Sequence, residues 1–235
     1  MIVSAHQPHF LPWLGYFNKV INSDIFIWLN NVQYRKNYFQ NRTKIKCVND
    51  SEMWLTLPVH VKLGDLISKV PIAEEKWKKR IINTIHMNYS KAAHYESISE
   101  IIYSKINSMN NFLLDHVNYE LFTEITKLLE INTKIIRVEE LNIENIDPNL
   151  RLIEICKKVN ASEYIAGKGG KNYMDTSLFS SEGIEIIWQD FRFQEIYYKQ
   201  LGKIFVPGLS IIDPLMNIGI ENTKKLLFNS WKVKN

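Results

Sequence analysis

The run Ile25-Phe26-Ile27-Trp28-Leu29, apolar at every position and rich in β-branched and aromatic residues, is the feature that most narrows the fold. A strand with no polar face is buried on both sides, as in a parallel sheet covered by helices. Upstream, Ile2-Val3-Ser4-Ala5 reads as a short strand, and Leu14, Phe17, Val20 and Ile21 recur at the three- and four-residue intervals of a helix. Strand, helix and strand in succession predict an α/β chain with a mostly parallel open sheet. Ligands of such sheets bind beyond the carboxyl ends of the strands. Two runs fall at that edge, His6-Gln7-Pro8 with the residues up to Tyr16, and Asn30 to Arg42.

The remaining pattern extends this plan. Thr43–Val48 and Trp54–Val59 predict a β-hairpin turning at Asn49-Asp50-Ser51, followed by an irregular stretch to Pro71 that contains Gly64-Asp65. Helices are predicted over Ala73–Asn88, with Glu74 and Glu75 in the first turn, over Tyr95–Ser108 and over Asn110–Leu129. A strand at Thr133–Val138, a helix at Pro148–Val159 and a strand at Glu163–Ala166 lead into the glycine loop Gly167–Lys171. Thr176–Ser181, Ile184–Trp188 and Ser210–Asn217 read as helix, strand and a last amphipathic element. One α/β domain over residues 1–235, with a helical insertion at 73–130, is the economical organisation.

At 235 residues and 46% hydrophobic, the chain can build one substantial core. The formal charge of +4 suits anionic small molecules; with 25 acidic residues among 29 basic ones it does not demand nucleic acid. Cys47 and Cys156 form no CxxC, so neither a disulfide framework nor a cysteine zinc site is indicated, and a reducing cytoplasm fits. The N-terminus lacks the pattern of a signal peptide, and no apolar run approaches the roughly 20 residues of a membrane span.

His6 and Gln7 offer an imidazole and an amide at a strand end, suited to proton transfer or to steering a phosphate; their structural alternative is capping the helix that Pro12 introduces. His9, between Pro8 and Phe10, is expected on the loop surface. Gln33, Tyr34, Arg35, Lys36, Asn41 and Arg42, interleaved with Tyr38 and Phe39, form a basic and aromatic run in which Arg42 is the leading anion ligand. Gly167 to Lys171 lets backbone N–H groups approach a phosphate, but it is neither a P-loop nor GxGxxG, and glycine turns also arise for steric reasons. Asp213, next to Pro214, is a candidate general base and equally a helix cap. The six histidines show no metal-ligand spacing.

His6-Gln7-Pro8-His9-Phe10-Leu11-Pro12-Trp13-Leu14-Gly15-Tyr16-Phe17, Ser23-Asp24-Ile25-Phe26, Val32-Gln33-Tyr34, Gln40-Asn41-Arg42, Trp54-Leu55-Thr56-Leu57-Pro58-Val59, Tyr164-Ile165-Ala166-Gly167, Tyr173-Met174-Asp175 and Leu209-Ser210-Ile211-Ile212-Asp213 stand in this order, followed by Asn217 and Gly219. Together they resemble the WbqC-like family over essentially the full chain. The resemblance implies a bacterial cytoplasmic protein of O-antigen, lipopolysaccharide or other surface polysaccharide biosynthesis, acting on nucleotide-linked amino sugars. Where relatives usually carry two aspartates before Val-Gln, this chain has Asn30-Asn31, which removes two carboxylates from the predicted cleft. A weaker analogy of fold, nucleotidyltransferase-like or Rossmann-like, extends to carboxylate-activating enzymes such as pantothenate synthetase.

The resulting expectation is a transferase that forms an amide on the amino group of a dTDP-linked amino-dideoxy sugar, adding glycine or another acyl group. His6 is the expected base, with Asp213 as its alternative. Lys36, Arg42, Gly167, Lys168 and Lys171 would neutralise pyrophosphate, Trp13 or Tyr34 would stack on base or sugar, and Gln7, Gln33 and Asn41 would orient polar groups. No tightly bound cofactor and no metal are expected, and the donor would be aminoacyl-tRNA, acyl-CoA, or ATP plus an amino acid, making charged tRNA a candidate partner. The alternatives are a non-catalytic nucleotide-sugar binding module and an ATP-dependent acyl-adenylate amide ligase.

Overall fold

In the computed structural model, which describes residues 1–233, the chain is an α/β fold built on one parallel sheet. Its strands are β1 (Ile2–His6), β2 (Ile25–Trp28), β5 (Lys134–Arg137), β6 (Glu163–Ala166) and β7 (Glu185–Trp188), in the order β5-β2-β1-β6-β7. Val3 stands opposite Ile25 on one side and opposite Tyr164 on the other. The chain therefore leaves β1 toward β2 and later returns to its other side at β6. That reversal is the topological switch point, and it opens a crevice between the carboxyl ends of β1 and β6.

The all-apolar run is explained by two cores. Phe26 and Trp28 enter a large cluster with Phe10, Phe17 and Phe122, whereas Ile27 enters a second one with Val3, Ala5, Ile155, Cys156 and Phe179. Successive side chains of a strand point to opposite faces, so both faces of β2 are buried. The first helix, α1 (Leu14–Ile21), belongs to the large core, and α5 (Pro148–Lys158) and α6 (Thr176–Ser181) cover the other face.

Between β2 and β5 the chain makes a separate antiparallel hairpin, β3 (Arg42–Lys46) with β4 (Glu52–Thr56), and the helices α2 (Trp77–Tyr89), α3 (Tyr95–Ser108) and α4 (Leu114–Leu128). All three helices pack into the large core. Because α2 begins at Trp77, Glu74 and Glu75 precede its first turn instead of occupying it. The last element also departs from expectation. It is a helix, α7 (Ile212–Phe228), continuing well past Asn217, with a break at Gly219 where φ is 77° and ψ is 177°. A β-carbon there would lie 2.8 Å from the His94 ring, so a close approach and a left-handed φ both call for glycine. Among the described residues, no helix is long and apolar enough to cross a membrane.

Candidate functional site

The loop after β1 is held in a strained course. Buried Leu11 has φ +42°, and its carbonyl accepts bonds from Thr43 Oγ1 at 3.2 Å and Ser210 Oγ at 2.8 Å. Phe10 N–H donates to the Phe39 carbonyl at 3.0 Å and Ile211 N–H to that of Pro12 at 2.8 Å. Three distant segments thus fix the loop that carries His6, Gln7 and His9. A left-handed non-glycine residue persists only where its surroundings over-determine it.

His6 is half-buried, and its Nδ1 lies 2.9 Å from the Gln7 carbonyl oxygen. A carbonyl only accepts, so Nδ1 carries the proton and Nε2 presents a lone pair. The His9 ring lies 4.6 Å from His6, 5.3 Å from Tyr16, and stacks on Phe39 at 5.5 Å. His9 is 4% exposed and neither ring nitrogen has a partner, which corrects the expected surface position. Phe39 and Tyr38, supplied by the second loop, close over it.

Below them lies a residue the motifs did not single out. Lys19 on α1 is 4% exposed, donates to the Ala5 carbonyl at 3.0 Å and sits 5.9 Å from the Tyr164 ring centre. Burial lowers its pKa from the ordinary lysine range to about 7. Burial and the Lys19 charge together hold His6 down at about 3, against the opposing bond to Gln7. Burial, then His6 and Lys19, keep His9 well below the usual histidine value. At neutral pH both imidazoles are uncharged and Lys19 is near its titration midpoint. The signal available in sequence was a lysine that, with Asn18, interrupts the apolar residues of a short helix, one turn from Tyr16.

The second loop is tied to the first through Gln40, whose Nε2 donates to Gln7 Oε1 and whose carbonyl accepts from Asn118 Nδ2 at 2.8 Å. Tyr34 donates to Asn41 Oδ1 at 2.8 Å, and Asn41 Nδ2 donates to the Leu57 carbonyl at 2.8 Å, so these two predicted ligands hold the loop to the hairpin. The Arg42 guanidinium lies 4.1 Å from the Trp54 ring centre and bonds the Asn37 carbonyl. Gln33, Arg35 and Lys36 are exposed at the rim.

Across the crevice, Gly167 to Asn172 forms a tight turn that exposes Lys168 and Lys171, the latter 5.4 Å from the Trp188 ring centre. A β-carbon at Gly170 would lie 2.7 Å from Met174 Sδ, a steric reason for that glycine. Tyr173 is 53% exposed, and its partial burial and then Tyr38 raise its pKa.

Two predicted residues are placed elsewhere. Trp13 packs edge-on to Phe191 and Phe193 at 5.4 and 5.7 Å, its ring covering Gly15. Asp213 is fully buried and accepts from Tyr198 Oη at 2.6 Å, Tyr89 Oη at 2.8 Å and Gln200 Nε2 at 2.9 Å. Those bonds tie α7 to α2 and to the loop before it. They give the Asp213 carboxylate three donors within the core, a structural setting beside the base role expected of it.

Buried side-chain atoms without hydrogen-bond partners gather at this edge of the sheet. They are both nitrogens of His9, Asn30 Oδ1, Asn31 Oδ1, Arg42 Nε and Asn118 Oδ1, with Trp77 Nε1 in α2 lying apart. Each such atom costs on the order of 1–3 kcal/mol if it stays unpaired, so this edge of the sheet is the candidate site. Among the described residues no group of three or more His, Cys, Asp or Glu is placed to hold a metal ion. A depression of about 400 Å³ lies elsewhere, between His94, Leu128 and the Gly219 break.

The description that matches this chain in comparisons is the WbqC-like protein family, over residues 7–225. The chain is also similar to a protein of Mycobacterium tuberculosis described as uncharacterized protein Rv1507c. The two are 30% identical over 221 residues, covering 93% of this chain and 94% of that protein.

Proposed function

For this chain, which belongs to the WbqC-like protein family, we propose a transferase that forms an amide on the amino group of a dTDP-linked amino-dideoxy sugar during O-antigen or other surface polysaccharide biosynthesis in the cytoplasm. The observation that carries this reading is the polarity of the unpartnered groups. Amide oxygens of Asn30, Asn31 and Asn118 lie at the β2 and α4 end, while Arg42 Nε lies at the start of β3 and the exposed Arg35, Lys36, Lys168 and Lys171 lie on the loops. Such an arrangement complements a molecule with hydrogen-bond donors at one end and a pyrophosphate at the other.

In the reaction the sugar nitrogen attacks the acyl carbonyl carbon, forming a C–N bond as the bond to the donor's leaving group breaks. The nitrogen loses a proton, which passes to His6 Nε2, the free lone pair on the ring. The depressed basicity of His6 makes it a transient carrier, with Lys19 beneath it the group matched to neutral pH.

The protein is incubated with a dTDP-4-amino-4,6-dideoxy sugar and, in separate reactions, glycyl-tRNA, acetyl-CoA, or glycine with ATP. A mass gain equal to the acyl group is the expected result, and pyrophosphate release in the third reaction identifies the ligase route. No product with any donor overturns the transferase. The very low basicity of His6 favours one second reading, a nucleotide-sugar binding module without catalysis. Calorimetric affinity for the sugar nucleotide without turnover is the outcome that selects it.

A further inference from the structure

Gln40 is fully buried in the second loop, and the direction of its side-chain amide is decided by backbone. The Arg35 N–H, which only donates, lies 2.7 Å from Gln40 Oε1, so the nitrogen of that amide faces the other way. This Nε2 donates to Gln7 on the first loop, and Gln7 meets it with Oε1. Turning either amide over would set donor against donor. Gln7 Nε2 is left as the outward end of the relay. The place of Gln40 is itself fixed, because its carbonyl accepts from Asn118 Nδ2 at 2.8 Å and the Phe39 carbonyl before it accepts from Phe10 N–H at 3.0 Å.

Gln7 directly follows β1, at the mouth of the crevice. It is half-buried, and its Nε2 has no partner among the described residues yet, unlike both nitrogens of His9, keeps contact with solvent. His6 Nε2 has the same standing. The Gln7 backbone carbonyl accepts from His6 Nδ1 at 2.9 Å and from Tyr16 Oη at 3.2 Å, so the imidazole is anchored on the residue that carries the amide. Consecutive residues thus present one accessible acceptor and one accessible donor.

We infer that Gln7 Nε2 donates a hydrogen bond to the acyl carbonyl oxygen of the donor substrate as the sugar amine attacks, and that Gln40 is the positioning residue that turns this N–H outward. This rests on the functional reading above and adds the group that meets the carbonyl oxygen. The neutral amine attacks the carbonyl carbon, and as the C–N bond forms, an electron pair of the C=O bond moves onto the oxygen beside Gln7. The pair returns when the bond to the leaving group breaks, the amine gives its one proton to His6 Nε2, and Gln7 keeps both of its own. A donor set in place beforehand acts on charge that develops only in the transition state. Arg35 and Lys36 stand exposed on the second loop for the pyrophosphate, which leaves the uncharged Gln7 donor for an uncharged carbonyl.

The test measures kcat, with the acyl donor that gives product, and calorimetric affinity for a dTDP-4-amino-4,6-dideoxy sugar. It compares wild type with Gln7→Met, Gln40→Glu and Gln40→Met. Gln7→Met is expected to lower kcat about a hundredfold and to leave the affinity within about twofold. The carboxylate of Gln40→Glu accepts from both Arg35 N–H and Gln7, which turns the Gln7 amide over, so kcat should fall about as far although position 40 touches no substrate. Gln40→Met leaves Gln7 free to turn and should cost less than about tenfold. Equal losses in the two Gln40 variants mean that Gln40 only holds the loop, and overturn its positioning role. Thermal denaturation establishes that each variant folds. Should the Gln40 variants unfold, Gln7→Glu keeps the acceptor for Gln40 and changes only the outward atom. A hundredfold loss of kcat there bears the inference out, and an unchanged kcat overturns it. Weaker sugar nucleotide binding in Gln7→Met at unchanged kcat overturns the assignment to the carbonyl, the oxygen met being then one of the sugar nucleotide. Wild-type protein that makes no product with any donor overturns the functional reading and this one together.

Discussion

Lys19 Nζ donates to the Ala5 carbonyl oxygen at 3.0 Å, a buried lysine bonded to backbone beneath two uncharged imidazoles. Its pKa near 7 in the folded chain, against the ordinary lysine value when unfolded, means that folding releases its proton between those two values. Stability relative to Lys19→Met is therefore expected to rise with pH from about 7 upward, by up to about 1.4 kcal/mol per pH unit, until the unfolded lysine also deprotonates. Urea denaturation of both proteins across that range checks it. Parallel pH profiles would show that Lys19 keeps an ordinary pKa.

Below neutrality the histidines take over. His6 and His9 are uncharged in the folded chain while their unfolded counterparts gain protons below about pH 6.5, so falling pH is expected to destabilise the protein down to about 3, where His6 titrates. His9→Phe keeps the stack on Phe39, removes two unpartnered nitrogens, and should shift the acid unfolding midpoint to lower pH. The same variant should lose affinity for the sugar nucleotide, because a group that is costly to bury and useful to a ligand trades stability for binding. A variant both less stable and equally able to bind would count against His9 as part of the site.

Asp213 is expected to act on stability alone. Tyr198→Phe removes the 2.6 Å bond to its carboxylate and should lower stability by about 1–3 kcal/mol, with dTDP affinity unchanged within about twofold. Thermal melts and calorimetry on the same preparation separate the two effects. A large loss of nucleotide affinity would return Asp213 to the crevice.

Lys168 lies 3.6 Å from Asp190 at the third loop. Asp190→Asn should free it and strengthen dTDP binding a few-fold, and Lys168→Ala should weaken binding by up to about fivefold, the range of an exposed charge contact. Both effects should shrink as ionic strength rises. Nucleotide titrations at low and high salt would reveal an unaltered affinity if the glycine loop does not meet phosphate.

Strand, helix and strand at the N-terminus, the hairpin and the parallel character of the sheet were legible because each rests on the local period of apolar residues. The two arginine- and lysine-bearing loops were legible as lying at the carboxyl edge of the sheet because their place there depends only on strand direction. The break at Gly219 hid the second half of α7, since a left-handed glycine resets the helical period that the pattern follows. The packed settings of Trp13 and Asp213 were hidden for a related reason. Their surroundings, Phe191 with Phe193 and Tyr89 with Tyr198, come from segments far away in the chain.

What the sequence alone determined is the α/β class, the position of both N-terminal runs beyond the carboxyl ends of parallel strands, and the family. These follow from short-range periodicity and from motif order, which need no knowledge of what packs where. The charge and availability of the site groups were decided by the tertiary structure. His9 is buried because Phe39 closes over it, Lys19 is driven toward neutrality because β1 and β6 seal it from water, and the Asn30 and Asn118 oxygens are orphaned because Asp115 and Gln40 hold their amides from behind. Desolvation and hydrogen-bond direction depend on neighbours that only the folded chain brings together.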